Sequence, residues 1–316
     1  MSVSVVIPIF NERENISRLY WGLKKAILPL DCQYEILFVD DGSSDGSDDV
    51  LREITDTDPQ VRVIQFRRNY GQTAAMQAGI DHARCDIIVT LDGDLQNDPA
   101  DIPRLLNKLD DGYDLVHGWR KDRQDALVQR KLPSRIANWL ISKVTCFPIH
   151  DLGCTLKAMR RDIAQEIELY GEMHRFIPIL AHQRGAKCAE VVTNHRPRTA
   201  GKTKYGIDRT FRVILDLVTV KYMLDNFAHP MQLFGGVGLL SFGCCAVLAM
   251  LTLGMKLLGG VDMTGNPFML LSLVAGLAGI QFLSLGLLGE VSARIYFSSG
   301  QKQHYAVRQF TNFEAP

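Results

Sequence analysis

Cys85-Asp86-Ile87-Ile88-Val89-Thr90-Leu91, followed at once by Asp92-Gly93-Asp94-Leu95-Gln96, is the stretch on which the fold turns. Its first part is a short apolar, β-branched run bounded by polar residues, which reads as a strand of a buried parallel sheet. Its second part holds two carboxylates around a glycine where that strand would run out into a loop. A solvated acidic turn has the same composition, so the Asp-x-Asp pair alone decides nothing. Position separates the two readings, because ligands of open α/β sheets collect at the carboxyl ends of the strands. Carboxylate oxygens there suit a hard divalent cation, Mg²⁺ or Mn²⁺, and such a cation in turn suits the phosphates of a nucleotide.

The preceding chain supplies the rest of that sheet. Val3 to Pro8, Tyr34 to Val39 and Val61 to Phe66 are further short apolar runs, and amphipathic stretches around Glu14 to Leu28 and Asp48 to Thr55 separate them. Strands alternating with helices predict parallel βαβ units, hence an α/β fold with a mainly parallel sheet flanked by helices. The loops Pro8-Ile9-Phe10-Asn11-Glu12 and Asp40-Asp41-Gly42-Ser43-Ser44-Asp45-Gly46 then open on the same edge as Asp92 and Asp94, and the three form one crevice. No GxGxxG follows the first strand and no GxxxxGK[ST] occurs, which excludes a dinucleotide fold and a P-loop. Phosphates must be handled by metal and side chains.

Taken together, Val-Val-Ile-Pro-Ile-Phe-Asn-Glu (5–12), Val-Asp-Asp-Gly-Ser-Ser-Asp (39–45) and Leu-Asp-Gly-Asp-Leu-Gln-Asn-Asp-Pro (91–99) resemble glycosyltransferase family two, the nucleotide-diphospho-sugar transferases with the GT-A fold. Gln96, Pro99 and the upstream Arg67-Arg68-Asn69-Tyr70-Gly71-Gln72-Thr73-Ala74-Ala75 are similar to its polyprenyl-phosphate branch, which includes dolichyl-phosphate mannose synthase and the bactoprenol glucosyltransferases. The likeness runs over residues 3 to 210. It implies a metal held by Asp92, Asp94 and Gln96, and a nucleotide pocket in which Asp41 accepts from a base N–H while Pro8, Phe10 and Glu12 line the ribose side. Asn69 to Thr73 favour UDP-glucose as donor.

Basic residues follow the acidic loop. Trp119-Arg120 and Arg130-Lys131-Leu132-Pro133-Ser134-Arg135 precede an amphipathic segment, Ile136 to Phe147, which suits either the membrane interface or an ordinary packed surface helix. The resemblance implies that Arg120, Arg130 and Ser134 hold the acceptor phosphate. Asp151, in His150-Asp151-Leu152-Gly153-Cys154-Thr155-Leu156-Lys157, stands where the family carries an acid, although Cys-Thr-Leu-Lys departs from the family pattern; its alternative role is a helix N-cap. Arg196 to Gly206 resembles the family's Arg-x-x-Gly-x-Ser-Lys loop. Arg198 and Lys204 would then close over the diphosphate, where the alternative is a plain basic linker.

The remainder of the 316 residues is lipid-soluble. Met231 to Met255 and Met263 to Gly289 contain no charged residue, and each exceeds the roughly 20 residues that a helix needs to cross a bilayer. Two buried core helices are the alternative. Arg209, Arg212 and Lys221 precede the pair and Arg294, Lys302 and Arg308 follow it, while the loop between carries a single acid, Asp262. The positive-inside rule therefore puts both termini and the catalytic domain in the cytoplasm, with the helices in the inner or plasma membrane, and the N-terminal strand is no signal peptide. The expected organisation is a catalytic domain over 1–206, a juxtamembrane amphipathic helix over 207–229, two transmembrane helices over 230–290 and a cytoplasmic tail over 291–316. Ser272, Ala275, Gly276 and Gly279 allow close helix approach, within the chain or in an expected homo-oligomer.

Thirty-five basic residues balance thirty-five acidic ones, which excludes a general nucleic-acid footprint. The seven cysteines show no CxxC spacing and read as reduced thiols. The function expected is inverting transfer of a hexose to a polyprenyl phosphate, undecaprenyl phosphate above all, with GDP-mannose or a UDP-amino sugar as alternative donors. Two other readings remain at this point. A processive polysaccharide synthase carries Gln-x-x-Arg-Trp, and Gln183-Arg184-Gly185 has no Trp after it. A non-catalytic membrane receptor would not need Asp92, Asp94 and Gln96 intact.

Overall fold

The computed structural model describes residues 1–121, 149–169, 171–196, 219, 221–222, 229–262, 264, 266–298 and 305–313. Arg130, Ser134, Arg198, Lys204, the Ile136 to Phe147 segment and most of 207–229 lie outside the described residues. The chain divides into two units, Met1–Leu217 with Gln303–Pro316, and Val218–Lys302.

The first unit is built on β1 (Ser2–Ile9), which is buried on both faces from Val3 to Ile9. Burial on two sides requires a continuous rather than alternating apolar run, and that is why this strand was legible. β1 pairs in parallel with β2 (Gln33–Asp40) on one side and β4 (Ile87–Thr90) on the other, and β2 pairs in parallel with β3 (Val61–Phe66). Between them run α1 (Arg13–Ile27), α2 (Ser47–Thr57) and α3 (Gln72–His82). On α1 the buried residues Ile16, Leu19, Tyr20, Leu23 and Ile27 recur every three or four positions, the stripe that packs a helix on a sheet. α4 (Ile102–Asp110) repeats the pattern with Ile102, Leu105, Leu106 and Leu109. Pro8 sits in β1 beyond the β4 ladder, which ends with Leu91 N–H donating to Val6 O, so its missing N–H costs no ladder bond.

The sheet is mixed rather than wholly parallel. Its order is β7-β5-β6-β4-β1-β2-β3-β8, with β5 at Leu115–Trp119, β6 at Lys157–Arg160, β7 at Cys188–Val192 and β8 at Val307–Thr311. β6 is antiparallel to both of its neighbours and β8 to β3, while β7 runs parallel to β5. The carboxyl ends of β1 to β5 and β7 therefore share one edge with the amino end of β6, and the functional loops gather there. Among the described residues this unit also holds two short helices, α5 (Arg161–Glu166) and α6 (Ile177–Gln183).

The second unit is a helical hairpin, α7 (Pro230–Gly259) and α8 (Pro267–Ser298). Core helices of a soluble domain hide their apolar side chains, whereas in each of these spans only 6% of the most apolar window is buried, and Leu240 and Leu258 are 76% and 94% exposed. The hairpin turn lies later than the apolar pattern suggests. Gly260 closes α7 in the left-handed conformation, and the Asn266 side chain accepts from Phe268 N–H at 2.9 Å to start α8 behind Pro267. α8 then runs past the uncharged span, helped by the Glu290–Arg294 pair at i,i+4. A Cβ on Gly279 would lie 3.1 Å from Gly238 O, and one on Gly276 3.2 Å from Cys245 Sγ, so these small residues serve packing within the chain. Residues 291–316, set apart above as a tail, divide: the first continue α8, and Val307–Thr311 join the catalytic sheet as β8.

Glu35 is the polar knot of this sheet. It is 7% exposed and accepts from Ser4 Oγ at 2.6 Å, Arg84 N–H at 2.7 Å and the guanidinium of Arg62, itself 4% exposed. Removing one partner of a buried pair strands the other charge, at a cost of about 3–5 kcal/mol. Glu35→Ala should therefore lower stability by roughly that amount, whereas Asp48→Ala, which breaks the exposed Asp48–Arg52 pair, should change it by less than about 0.5 kcal/mol. Thermal unfolding of the purified chain compares the two.

Candidate functional site

Beyond β4 the chain turns through Asp92-Gly93-Asp94 against the end of β1. A Cβ at Gly93 would lie 2.7 Å from Ile9 Cδ1 and 3.3 Å from Pro8 O, so glycine is what lets the acidic loop approach the Pro8 to Glu12 loop. Leu95 follows with φ +61°, a left-handed conformation unusual for leucine, and its side chain packs against the hydrophobic core. The turn is held on both sides. Asp94 Oδ1 accepts from Gln96 N–H at 3.1 Å, and Gln96 O accepts from Arg196 N–H at 2.9 Å. Asn97 bridges His195, Asp98 pairs with Arg196, and Asp101 accepts from both Asn194 N–H (2.7 Å) and its amide (3.1 Å).

Asp92 is half-buried by surface yet enclosed by protein, and burial together with the charge of Asp94 raises its carboxyl to about 7. Thr155, Lys157 and Arg120 oppose that rise, and Gln72 Nε2 donates to Asp92 Oδ1 at 2.6 Å. Lys157 opens β6 at the same edge, 1% exposed, with its Nζ donating to Cys154 O at 2.6 Å. Burial lowers its pKa to about 8 in spite of the nearby Asp92 and Asp151. A lysine fully inside a strand was read from the sequence only as a departure from the family pattern. The signal available was its place at the head of an otherwise apolar segment.

Arg120 follows the last residue of β5 and reaches across to Asp151. Its Nε and Nη2 donate to the two carboxylate oxygens at 2.7 and 2.9 Å, with 8% and 3% of the residues exposed. Burial would lower the Arg120 pKa, but the Asp151 pair raises it, so the guanidinium is charged at any working pH. Asp151 is no helix N-cap: it accepts from Gly153 N–H at 3.1 Å in the loop before β6. The segment carrying it is fixed by His150, which stacks on Trp119 with ring centres 4.3 Å apart and bonds Glu190 through its N–H at 2.8 Å and its Nδ1. Burial would raise Glu190, yet these bonds and one from His117 hold its pKa down to about 2. The planar fork expected at an acceptor phosphate thus grips Asp151.

On the nucleotide side, the loops after β1 and β2 are stitched together by Asn11 N–H to Ser43 Oγ (2.9 Å), Ser44 N–H to Asn11 Oδ1 (2.9 Å) and Glu12 N–H to Ser47 Oγ (3.2 Å). Phe10 is half-buried and Pro8 is buried. Asp41, 2% exposed, accepts from Tyr70 N–H at 2.6 Å and Gly71 N–H at 2.9 Å. Burial raises its carboxyl to about 6, with the two N–H groups opposing. Each of its oxygens therefore already holds the Tyr70-Gly71 turn.

The structure thus gathers Pro8, Phe10, Glu12, Asp41, Asp92, Asp94, Gln96, Arg120 and Asp151 at one edge of the sheet and adds Gln72, Thr155 and Lys157 to them. All metal candidates are oxygen donors. Among the described residues no three His, Cys, Asp or Glu side chains form a metal cage, and Asp92, Asp94 and Gln96 offer carboxylate and amide oxygens, the donors that hard divalent cations take. The Arg120–Asp151 pair makes a direct prediction. Asp151→Ala should destabilise the chain by about 3 kcal/mol, and a double-mutant cycle with Arg120→Ala, read by thermal unfolding, should give a coupling above about 1 kcal/mol.

Comparison with known proteins agrees with this geometry. Residues 4–168 match the family model described as glycosyl transferase family 2. Over 98% of its length the chain is 41% identical to dodecaprenyl-phosphate galacturonate synthase of Rhizobium johnstonii, covering 93% of that protein. It is 38% identical over 99% of its length to undecaprenyl-phosphate 4-deoxy-4-formamido-L-arabinose transferase of Edwardsiella ictaluri, covering 95% of it. A solved structure of glucosyl-3-phosphoglycerate synthase from Mycobacterium tuberculosis, in complex with Mn²⁺, UDP and phosphoglyceric acid, superposes with a TM-score of 0.53 at 20% identity, over 70% of this chain and 78% of that one. With the family model spanning the strands and loops that carry Asp41, Asp92, Asp94, Arg120 and Asp151, the chain belongs to glycosyl transferase family 2 and its catalytic unit has the GT-A fold.

Proposed function

We propose that this glycosyltransferase moves a sugar from a nucleotide diphosphate donor to a polyprenyl phosphate at a membrane surface. The observation that carries the reading is that its likeness to enzymes named for polyprenyl-phosphate sugars runs through the whole chain, the two apolar helices as well as the crevice. The donor lies along the Pro8 to Glu12 and Asp41 loops, with Phe10 and Glu12 at the ribose side. Asp92, Asp94 and Gln96 hold Mg²⁺ or Mn²⁺, which when bound neutralises the leaving diphosphate. The raised Asp92 carboxyl supports this assignment, because burial beside Asp94 makes joint ionisation of the two carboxylates costly and a bound cation would favour it. Arg198 and Lys204 close on the donor phosphates, and Arg130 with Ser134 takes the acceptor phosphate.

A lipid monophosphate is largely ionised at pH 7, its second pKa being about 6, so a strong base is not needed. Asp151 agrees with that, since its carboxylate is tied to Arg120 rather than poised to take a proton. Arg120 is accordingly a positioning cation beneath the site more than a direct phosphate ligand. The chain's own contribution is to bring two anions together and to fix their approach. In-line attack at the anomeric carbon inverts it. UDP is the favoured carrier, and glucose remains one sugar to test beside galacturonate and 4-deoxy-4-formamido-L-arabinose, for which the relatives are named.

That Met1–Leu217 and Gln303–Pro316 form one unit supports an even number of membrane crossings between them, which α7 and α8 would supply. Both termini then lie with the catalytic unit, on the cytoplasmic side by the charge rule. A homo-oligomer remains part of the reading, without Gly276 and Gly279 as its support.

Membranes bearing the chain, given undecaprenyl phosphate and a panel of radiolabelled UDP- and GDP-sugars, should make one lipid-linked sugar, and Asp94→Ala should abolish it while the melting temperature holds. Transfer unaffected by EDTA would sink the metal assignment. A second outcome follows from Asp92. Its proton, bound below about pH 7 in the metal-free protein, must leave when the cation binds, so Mn²⁺ affinity measured by calorimetry should weaken about tenfold per unit as pH falls below 7 and level off above it.

A further inference from the structure

We propose that Tyr305, in the segment after the second apolar helix, is a positioning residue for the nucleotide-side wall of the crevice. β8 pairs with β3 from Val63↔Thr311 to Gln65↔Gln309, and the register then shifts so that Phe66 faces Val307. A bulge of this kind re-aims the chain beyond it. Here it carries residues 305 and 306 past the end of β3. Ala306 O accepts from Arg67 N–H at 3.1 Å. The Tyr305 ring stacks on Phe66 with centres 5.1 Å apart and planes at 19°, and its hydroxyl donates to Asp81 Oδ2 on α3 at 2.9 Å. Tyr305 is 7% exposed, so one residue of a supposed tail grips both elements that flank the loop 67–71.

That loop is the hub of the crevice wall. The far side of Phe66's contacts is Tyr70, met edge-on at 5.6 Å, and the Arg68 guanidinium lies 4.7 Å from the Tyr70 ring centre. Tyr70 and Gly71 donate to Asp41, Gln72 donates to Asp92, and Gly42 lies so close that a Cβ there would come 2.6 Å from the Arg68 backbone. The path from Tyr305 to both the nucleotide loop and the metal loop is thus a chain of direct contacts, Tyr305 to Phe66 to Tyr70 to Asp41, and along the backbone to Gln72 and Asp92.

The test uses the full chain in lipid nanodiscs, with Tyr305→Ala, Tyr305→Phe and, as a control at the other end of β8, Phe310→Ala, whose ring touches His82 and Phe313 away from the loop. Hydrogen exchange is followed over residues 67–76 and 87–96, and donor KM and kcat are measured. Tyr305→Ala should speed exchange over 67–76 at least about tenfold and raise donor KM about fivefold or more with kcat little changed, the scale of a lost aromatic stack. Tyr305→Phe, which keeps the stack, should restore KM, and Phe310→Ala should lower the melting temperature while leaving KM and exchange over 67–76 as they were. The KM arm rests on the sugar-nucleotide reading, whereas the exchange arm needs no donor. Exchange over 67–76 that is unchanged in Tyr305→Ala, or equally faster in Phe310→Ala, overturns the proposal whatever the donor proves to be.

Discussion

The crowding of charge at one edge of the sheet is the constraint on which the rest of the structure depends. Asp92 and Asp94 sit on either side of a glycine, and burial plus mutual repulsion makes their joint ionisation costly. Two buried cations answer them. Lys157 enters from β6 and Arg120 from β5, and Arg120 is in turn neutralised by Asp151. The antiparallel insertion of β6 is what makes this possible, because it brings the head of a strand, with Lys157, to the edge where every neighbouring strand ends. A wholly parallel sheet would have delivered only strand ends and their loops. Against the three carboxylates of Asp92, Asp94 and Asp151 stand two cations, so negative charge is left in excess at this edge.

Such crowding holds only if the loops cannot relax away from it. The acidic turn keeps an unfavourable Leu95 conformation because it is tied forward to residues 194–196 and back to β1. Strain at a site of this kind persists where the surroundings over-determine the backbone. The same economy of means recurs on the nucleotide side, where the loops after β1 and β2 share side-chain bonds and Asp41 holds a third loop. Binding loops so connected lose little further entropy when a ligand arrives.

How much of this was legible follows from range. The strands β1, β2, β3 and β4 announce themselves because burial on both faces demands local runs of apolar residues, and their loops fall at one edge by topology alone. The two apolar helices are legible because each contains a run of more than twenty residues without a charge. β6 and β7 are not, since Lys157 and Glu190 interrupt strands of four and five residues whose partners lie far along the chain. Arg120 is expected from the sequence at the acceptor phosphate, but its partner Asp151 stands 31 positions away, and no period or spacing marks such a pair. Asp41 was likewise placed in the crevice, while its bonds to Tyr70 and Gly71, 29 and 30 positions on, were invisible.

β8 is the extreme case of this limit. An edge strand needs only one ladder, tolerates polar residues on its open side, and so carries a weak pattern; Val307–Thr311 reads as an ordinary basic tail. Its identity comes instead from long-range contacts, Tyr305 with Phe66 and Asp81, Asn312 with the carbonyls of Thr55 and Val61, and Phe313 under the Arg62 guanidinium that Glu35 neutralises. The β3 edge would otherwise be a template for wrong pairing, and β8 covers it.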